Sequence, residues 1–191
     1  MIIALEGIDN AGKTSVAQIL EKKFIEKGKV TVVSKELTTS VGGLIKSSIK
    51  GEGLSPISKA FLFAADRQIR IESLYSHDSF EHVVIFDRYL YSAIAYREAE
   101  GLEGSWVKDL NKYVPPSDFN FYIDITAEES IRRNTDKKFN IHYDVEYLNR
   151  VRESYLRYVN CGELIKIDGM AGINGAAVSI FEILTAKGVI V

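Results

Sequence analysis

The chain of 191 residues has one cysteine, three prolines and one tryptophan, and its 24 Lys and Arg are outnumbered by 26 Asp and Glu. Each scarcity excludes something. A lone cysteine, Cys161, can close no internal disulfide and build no Cys-rich metal site, which fits a reducing compartment. A formal charge of −2 and a pI near 6.0 leave no basic excess for a nucleic-acid polymer or an anionic membrane, so any anion site must be local. Apolar runs such as Ala60 to Ala65 stop far short of the roughly 18 residues that span a bilayer. Met1 to Leu5 is too short for the apolar part of a signal peptide. These absences predict a soluble, cytoplasmic protein. With 46% apolar and 26% charged residues, the length suits one well-buried core, hence a single domain over 1–191.

Short, β-rich apolar runs recur at Ile2 to Leu5, Val30 to Ser34, Val83 to Phe86, Phe121 to Ile125 and Leu164 to Ile167. Between them lie segments of helical period, such as Val16, Ile19, Leu20, Phe24 and Leu148, Val151, Tyr155, Val159. Strands alternating with helices predict an α/β fold with a five-stranded parallel sheet covered on both faces. Gly28, Gly51, Gly53 and Pro115-Pro116 punctuate the pattern at the ends of elements. Asn134 to Tyr143 is polar and rich in Lys and Asn: it reads as a solvated loop or, with Arg133 at its start, as a short lid over about 133–143.

Gly7-Ile8-Asp9-Asn10-Ala11-Gly12-Lys13-Thr14 has the spaced glycines, lysine and hydroxyl of a phosphate-binding P-loop, and stands between a strand and an amphipathic helix. Glycine lets backbone approach phosphate, and N–H groups converge at the helix start through Ser15. Lys13 would reach the outer phosphates, and the Thr14 hydroxyl would face Mg²⁺. A P-loop NTPase fold follows. The strand Val83 to Phe86 ends at Asp87-Arg88. The aspartate is either a turn former or the acid that stands near the metal in P-loop proteins, and the adjoining arginine at a strand's C-terminal end favours the second.

P-loops serve switches, motors and kinases, so a second anion site is needed to choose. Asn111-Lys112-Tyr113-Val114 lacks the acid of a guanine-reading element, which argues against a GTPase switch. On a helix, Phe63, Arg67 and Arg70 share a face: either a core phenylalanine beside surface arginines, or an aromatic plane and two guanidinium forks for a base and its phosphate.

Taken together, Glu6-Gly7-Ile8-Asp9 entering the P-loop, Leu62-Phe63-Ala64-Ala65-Asp66-Arg67, Asp87-Arg88-Tyr89 with Ser92 and Ala95-Tyr96, and Tyr147 to Leu156 resemble the thymidylate kinase family over nearly the whole chain. The resemblance implies Mg²⁺- and ATP-dependent conversion of dTMP to dTDP by a homodimer. It implies that Phe63 stacks on thymine, Arg67 contacts its carbonyl or the monophosphate, Asp9 meets the 3′-hydroxyl and Arg88 clamps the phosphates. Asp87 would organise the metal with Thr14, while Ser92, Tyr96 and Tyr143 would line the acceptor nucleotide. Two departures stand out. Lys35 occupies the region where the family commonly has a basic residue, and the P-loop carries Asn10 where one branch has arginine, so a lid cation, Arg133 or a neighbour among Arg132, Lys137 and Lys138, is expected to supply catalytic charge. The acceptor phosphate is already anionic near neutral pH, so no base is required of His77, His82 or His142. Alternatives on the same scaffold are a kinase for another nucleotide or deoxynucleoside, or a non-catalytic ATP-binding module.

Overall fold

In the computed structural model of the chain, residues 1–50, 53–75, 82–134 and 144–189 are described. The elements run β1 (Ile2–Glu6), α1 (Lys13–Glu26), β2 (Thr31–Lys35), α2 (Ser40–Lys50), α3 (Pro56–Tyr75), β3 (Val83–Asp87), α4 (Leu90–Ala99), α5 (Gly104–Leu110), β4 (Phe119–Asp124), α6 (Ala127–Arg133), α7 (Val145–Asn160), β5 (Ile165–Asp168) and α8 (Gly172–Ala186). The sheet order is β2-β3-β1-β4-β5 and every pairing is parallel. Parallel neighbours cannot be joined by tight turns, so helical crossovers connect them.

The expected five-stranded parallel α/β architecture is therefore found, with strand ends shifted by one or two residues. β5 starts at Ile165 because the Leu164 N–H turns back to Tyr158 O at the end of α7. β4 starts at Phe119, where it already pairs with Ile3.

Alternate strand residues face opposite sides. Ile3, Leu5, Ile85, Phe121 and Ile123 pack with Val16, Leu20 and Phe24 of α1 and Ile180 and Leu184 of α8. On the other side, Ile2, Ala4 and Phe86 meet Ile71 of α3, and Tyr122 stacks on Tyr155 of α7 with centroids 4.7 Å apart. α5 packs on α3 and α4, with Val107 buried and Trp106 set edge-on against Phe61 at 5.7 Å.

Local chemistry places the helix ends. Thr126 caps α6 by accepting from the Glu129 N–H at 3.2 Å, and the acids Glu128 and Glu129 at its start and Arg132 and Arg133 at its end oppose the helix dipole. Asp144 caps α7 by accepting from Tyr147 N–H at 2.6 Å. Gly169–Ala186, a 3-10 turn leading into α8, is apolar enough by length and mean hydropathy to be a candidate membrane span. It contains Asn174, Ser179 and Glu182, so no uninterrupted apolar run marks it in the sequence. Its Ala176, Ala177, Ile180 and Leu184 are buried, and α8 packs against α1 and β5.

Leu20, fully buried between α1 and the sheet, is a direct probe of this packing. Leu20→Ala is expected to cost about 2–5 kcal/mol, read as a lower urea midpoint with an unchanged slope.

Candidate active site

The register of the three central strands builds the site. Leu5 pairs with Asp87, so the chain leaving β1 at Glu6 and the chain leaving β3 at Asp87 emerge side by side. The first departure is the P-loop, the second is Arg88. Gly7 passes so close to β4 that a Cβ there would lie 2.7 Å from Ile123 O, and Gly12 enters α1 in the left-handed region at φ 93°. As the first N–H groups of α1, those of Lys13, Thr14 and Ser15 have no acceptor in a preceding helical turn.

Lys13 is buried, donating from Nζ to Gly7 O at 3.0 Å and Ile8 O at 2.7 Å. Burial, reinforced by the positive charge of Arg88, lowers its pKa to about 8. The Thr14 hydroxyl donates to Asp87 Oδ2, so the two oxygens expected at a metal touch each other. Asn10 has φ 59°, and its amide donates to Ser130 O at 3.0 Å while the Ser130 hydroxyl donates to Asp9 O at 2.7 Å. The loop tip is thereby tied to α6. Ala11 is buried beneath it.

Arg88 also adopts a left-handed backbone, φ 70°. Its Nη1 donates to Gly7 O at 3.1 Å and Ser92 Oγ at 3.3 Å, and its Nη2 donates to Tyr96 Oη at 3.0 Å and pairs with the Asp9 carboxylate. Burial opposes its charge, but Tyr96, Asp9, Tyr155 and Glu36 together outweigh it and hold its pKa well above the ordinary arginine range. Beneath it Glu6, fully buried, accepts from Tyr91 N–H at 3.0 Å and from the Ser92 hydroxyl. Burial raises the Glu6 pKa, against the pull of Ser92 and Arg88. Tyr155 of α7 completes the group, 2.8 Å from Ser92 Oγ.

A pocket opens beside this cleft. Asp9, Arg88, Ser92 and Tyr96 line its polar end, and Ala60, Phe63, Ala93 and Val107 line the rest together with Glu36, Leu37 and Arg97. Arg67 stands behind the wall, fully buried, donating to Asn111 Oδ1 at 2.7 Å and pairing with Glu36 Oε1 at 3.1 Å. Asp66 organises the same wall, accepting from Leu37 N–H at 2.9 Å and Thr39 Oγ1 at 2.6 Å. Arg70 donates to Arg88 O at 3.3 Å and lies over Phe86.

The structure thus brings together Gly7, Asp9, Asn10, Ala11, Gly12, Lys13, Thr14 and Ser15 with Asp87 and Arg88, and sets Phe63, Ser92 and Tyr96 around the adjoining pocket. Arg133 ends α6, donating to Glu129 Oε1 at 2.6 Å and Gly169 O at 3.1 Å. Lys35 is exposed at the end of β2. Tyr143, Lys137, Lys138, His77, His142 and most of the expected lid lie outside the described residues. Sequence reasoning did not assign Glu6, Glu36, Asn111, Ser130, Tyr155 or Arg97 to the site. Glu6 and Tyr155 stand in the segments that resemble the family, without a readable role, and no spacing rule links Asn111 to Arg67 across 44 residues.

A phosphate cradle at a strand's C-terminal end, an acid touching the P-loop threonine, and an arginine shared between the cradle and a separate adjoining pocket define a nucleotide kinase of the P-loop class. A family model for thymidylate kinase matches residues 5–176, and the chain belongs to that family. It is 36% identical over 189 residues to a probable thymidylate kinase of Sulfolobus acidocaldarius, covering 96% of this chain and 92% of that protein. It is 38% identical over 181 residues to a probable thymidylate kinase of Thermococcus kodakarensis, covering 87% and 88%. Over 156 residues it is 37% identical to probable thymidylate kinase 1 of Saccharolobus solfataricus, with 82% of each chain covered.

Because burial depresses the Lys13 pKa to about 8, a polyphosphate that binds beside it restores the charged form. Binding of ATP at pH 8 is expected to take up protons, and apparent affinity to fall as pH rises through 8. Calorimetry in two buffers of different ionisation enthalpy measures the uptake, which Lys13→Ala should abolish.

Proposed function

We propose that this chain is an ATP-dependent kinase that phosphorylates dTMP to dTDP within a single P-loop domain. The observation that carries the reading is Arg88: one guanidinium touches the P-loop carbonyl of Gly7 on one side and the pocket groups Asp9, Ser92 and Tyr96 on the other. A donor so placed contacts both phosphates that an in-line transfer joins.

In this reading Gly7 to Ser15 cradle the ATP phosphates, with Lys13 exchanging its two backbone acceptors for phosphate oxygens. Phe63 stacks on the thymine, Tyr96 and Tyr143 flank the deoxyribose, Asp9 meets its 3′-hydroxyl, and Ser92 lies by the phosphate that Arg88 holds. Arg67 acts on the same nucleotide, with Glu36 held in the pocket wall by its guanidinium. The acceptor oxygen is anionic without help, so catalysis consists of positioning two polyanions and stabilising charge spread over the transferred group. Lys13, Arg88 and Arg133 supply that charge.

The contact between the Thr14 hydroxyl and the Asp87 carboxylate fits Mg²⁺, a hard cation that takes one or two protein oxygens and fills its shell from phosphates and water. When bound there, Mg²⁺ would neutralise developing phosphate charge. The cytosol suits a chain whose one cysteine is free and exposed. Ile57 and Phe61, both more than half exposed on α3, suit a homodimer through that helix. Light scattering would then give twice the chain mass of 21.4 kDa.

The central test is ADP release from ATP and Mg²⁺ with dTMP, dUMP, dCMP, dGMP, AMP and thymidine offered separately. Dominant turnover with dTMP is expected; ATP binding with no acceptor-dependent turnover would leave only a nucleotide-binding module. Lys13→Ala should lower kcat by roughly two orders of magnitude or more. Arg67→Ala should raise KM for dTMP while leaving that for ATP nearly intact; equal loss of both would contradict the division into two subsites.

A further inference from the structure

Among the described residues, three that carry side chains hold a left-handed backbone: Asn10 at φ 59°, Leu37 at φ 64° and Arg88 at φ 70°. That conformation costs free energy for any residue but glycine, and such outliers gather where a site requires them. Asn10 is the tip of the phosphate cradle and Arg88 is the clamp. Leu37 lines the same pocket and has no part in the reaction described above.

The neighbours of Leu37 pin this conformation. Its N–H donates to Asp66 Oδ2 at 2.9 Å, and Thr39 Oγ1 donates to the other oxygen of that fully buried carboxylate at 2.6 Å. The first turn of α2 presses against it, since a Cβ on Gly42 would lie 2.7 Å from Leu37 O. The Glu36 N–H donates to Asp87 O at 3.3 Å, and Glu36 Oε1 accepts from Arg67 at 3.1 Å. Glycine would adopt this backbone without strain, and asparagine with less than leucine. Leucine here is therefore explained by its side chain.

β2 and β3 pair as far as Lys35 with Asp87, so the chain leaving β2 through Glu36 to Leu37 emerges beside Arg88. The half-buried leucine shares the pocket with Arg88 and Asp9, an apolar surface at its polar end. Resting on the dTMP reading above, we propose that Leu37 is an apolar shield that selects the acceptor over water as receiver of the ATP phosphoryl group. Transfer to the monophosphate breaks the bond from the γ-phosphorus to its bridging oxygen and forms one to an oxygen of the acceptor phosphate. Water in that place breaks the same bond, joins its own oxygen to phosphorus and releases a proton to solvent, giving ADP and inorganic phosphate. A hydrocarbon wall beside Arg88 offers such a water no hydrogen bond and leaves the arginine's charge less screened.

The test measures dTDP and inorganic phosphate together, at saturating dTMP and Mg-ATP, for the wild type, Leu37→Gly and Leu37→Met. Leu37→Gly removes the side chain and the backbone strain at once, so its thermal midpoint should stay near that of the wild type. Phosphate released per dTDP is expected to rise about tenfold or more, with KM for ATP within about twofold. Leu37→Met keeps an apolar side chain of similar volume and should hold that ratio within about twofold of the wild type. If the glycine variant gives no cooperative melt, Leu37→Ala is read in its place. An unchanged ratio in a folded truncation, or a methionine variant as leaky as the truncation, overturns the shield and leaves the kinase reading standing. Failure of both truncations to fold does the same, because it makes Leu37 structural. A wild type that forms no dTDP sinks the kinase reading and the shield with it.

Discussion

The site depends on one partly buried cation, Arg88. Arg88 sits where β3 ends, in a left-handed backbone that costs of order 1–3 kcal/mol for a residue with a side chain. That conformation turns the guanidinium back across β1 to Gly7 O, and four acceptors then fix its plane. The sheet supplies the precondition, because the Leu5 to Asp87 register delivers both chain exits to the same edge. Glu6 lies underneath as a nearby carboxylate, held by Ser92 and by the N–H of Tyr91.

Around that cation the charged groups hold one another. Lys13 leans on carbonyls of its own loop, Thr14 on Asp87, Arg88 on Asp9, and Arg67 on Glu36. An incoming phosphate competes with partners already in place, so recognition is an exchange of hydrogen bonds in a site of low polarity. Exchange discriminates better than simple attraction, since a ligand must replace what it displaces.

Much of this was legible in the sequence because the elements are local. The P-loop is one contiguous string whose glycines have a steric reason, as the 2.7 Å approach of Gly7 to Ile123 O illustrates, and the five apolar runs are strands within a residue or two. Asp87-Arg88 was readable from its place at a strand end. What was not legible arises between elements. The face of Phe63 and Arg67 on α3 was foreseen, but the fold turns Phe63 into the pocket and draws Arg67 behind it, because Asn111, just after α5, and Glu36, just after β2, accept from the guanidinium. Tyr155, opposite Ser92 across 63 residues, belongs to the same class of feature. Strand ends shifted where a turn hydrogen bond competed with the ladder, as at Leu164.

The helix α5 has a further consequence. Its two turns and the cap residue that follows set the chain's one tryptophan against Phe61, Val107 into the pocket wall, and Asn111 against the buried arginine. The protein therefore carries its one indole on the element that touches the acceptor subsite, while the P-loop has no aromatic residue. Its emission, excited apart from the tyrosines, reports on one half of the cleft, so occupancy of the acceptor subsite can be followed in real time without a label.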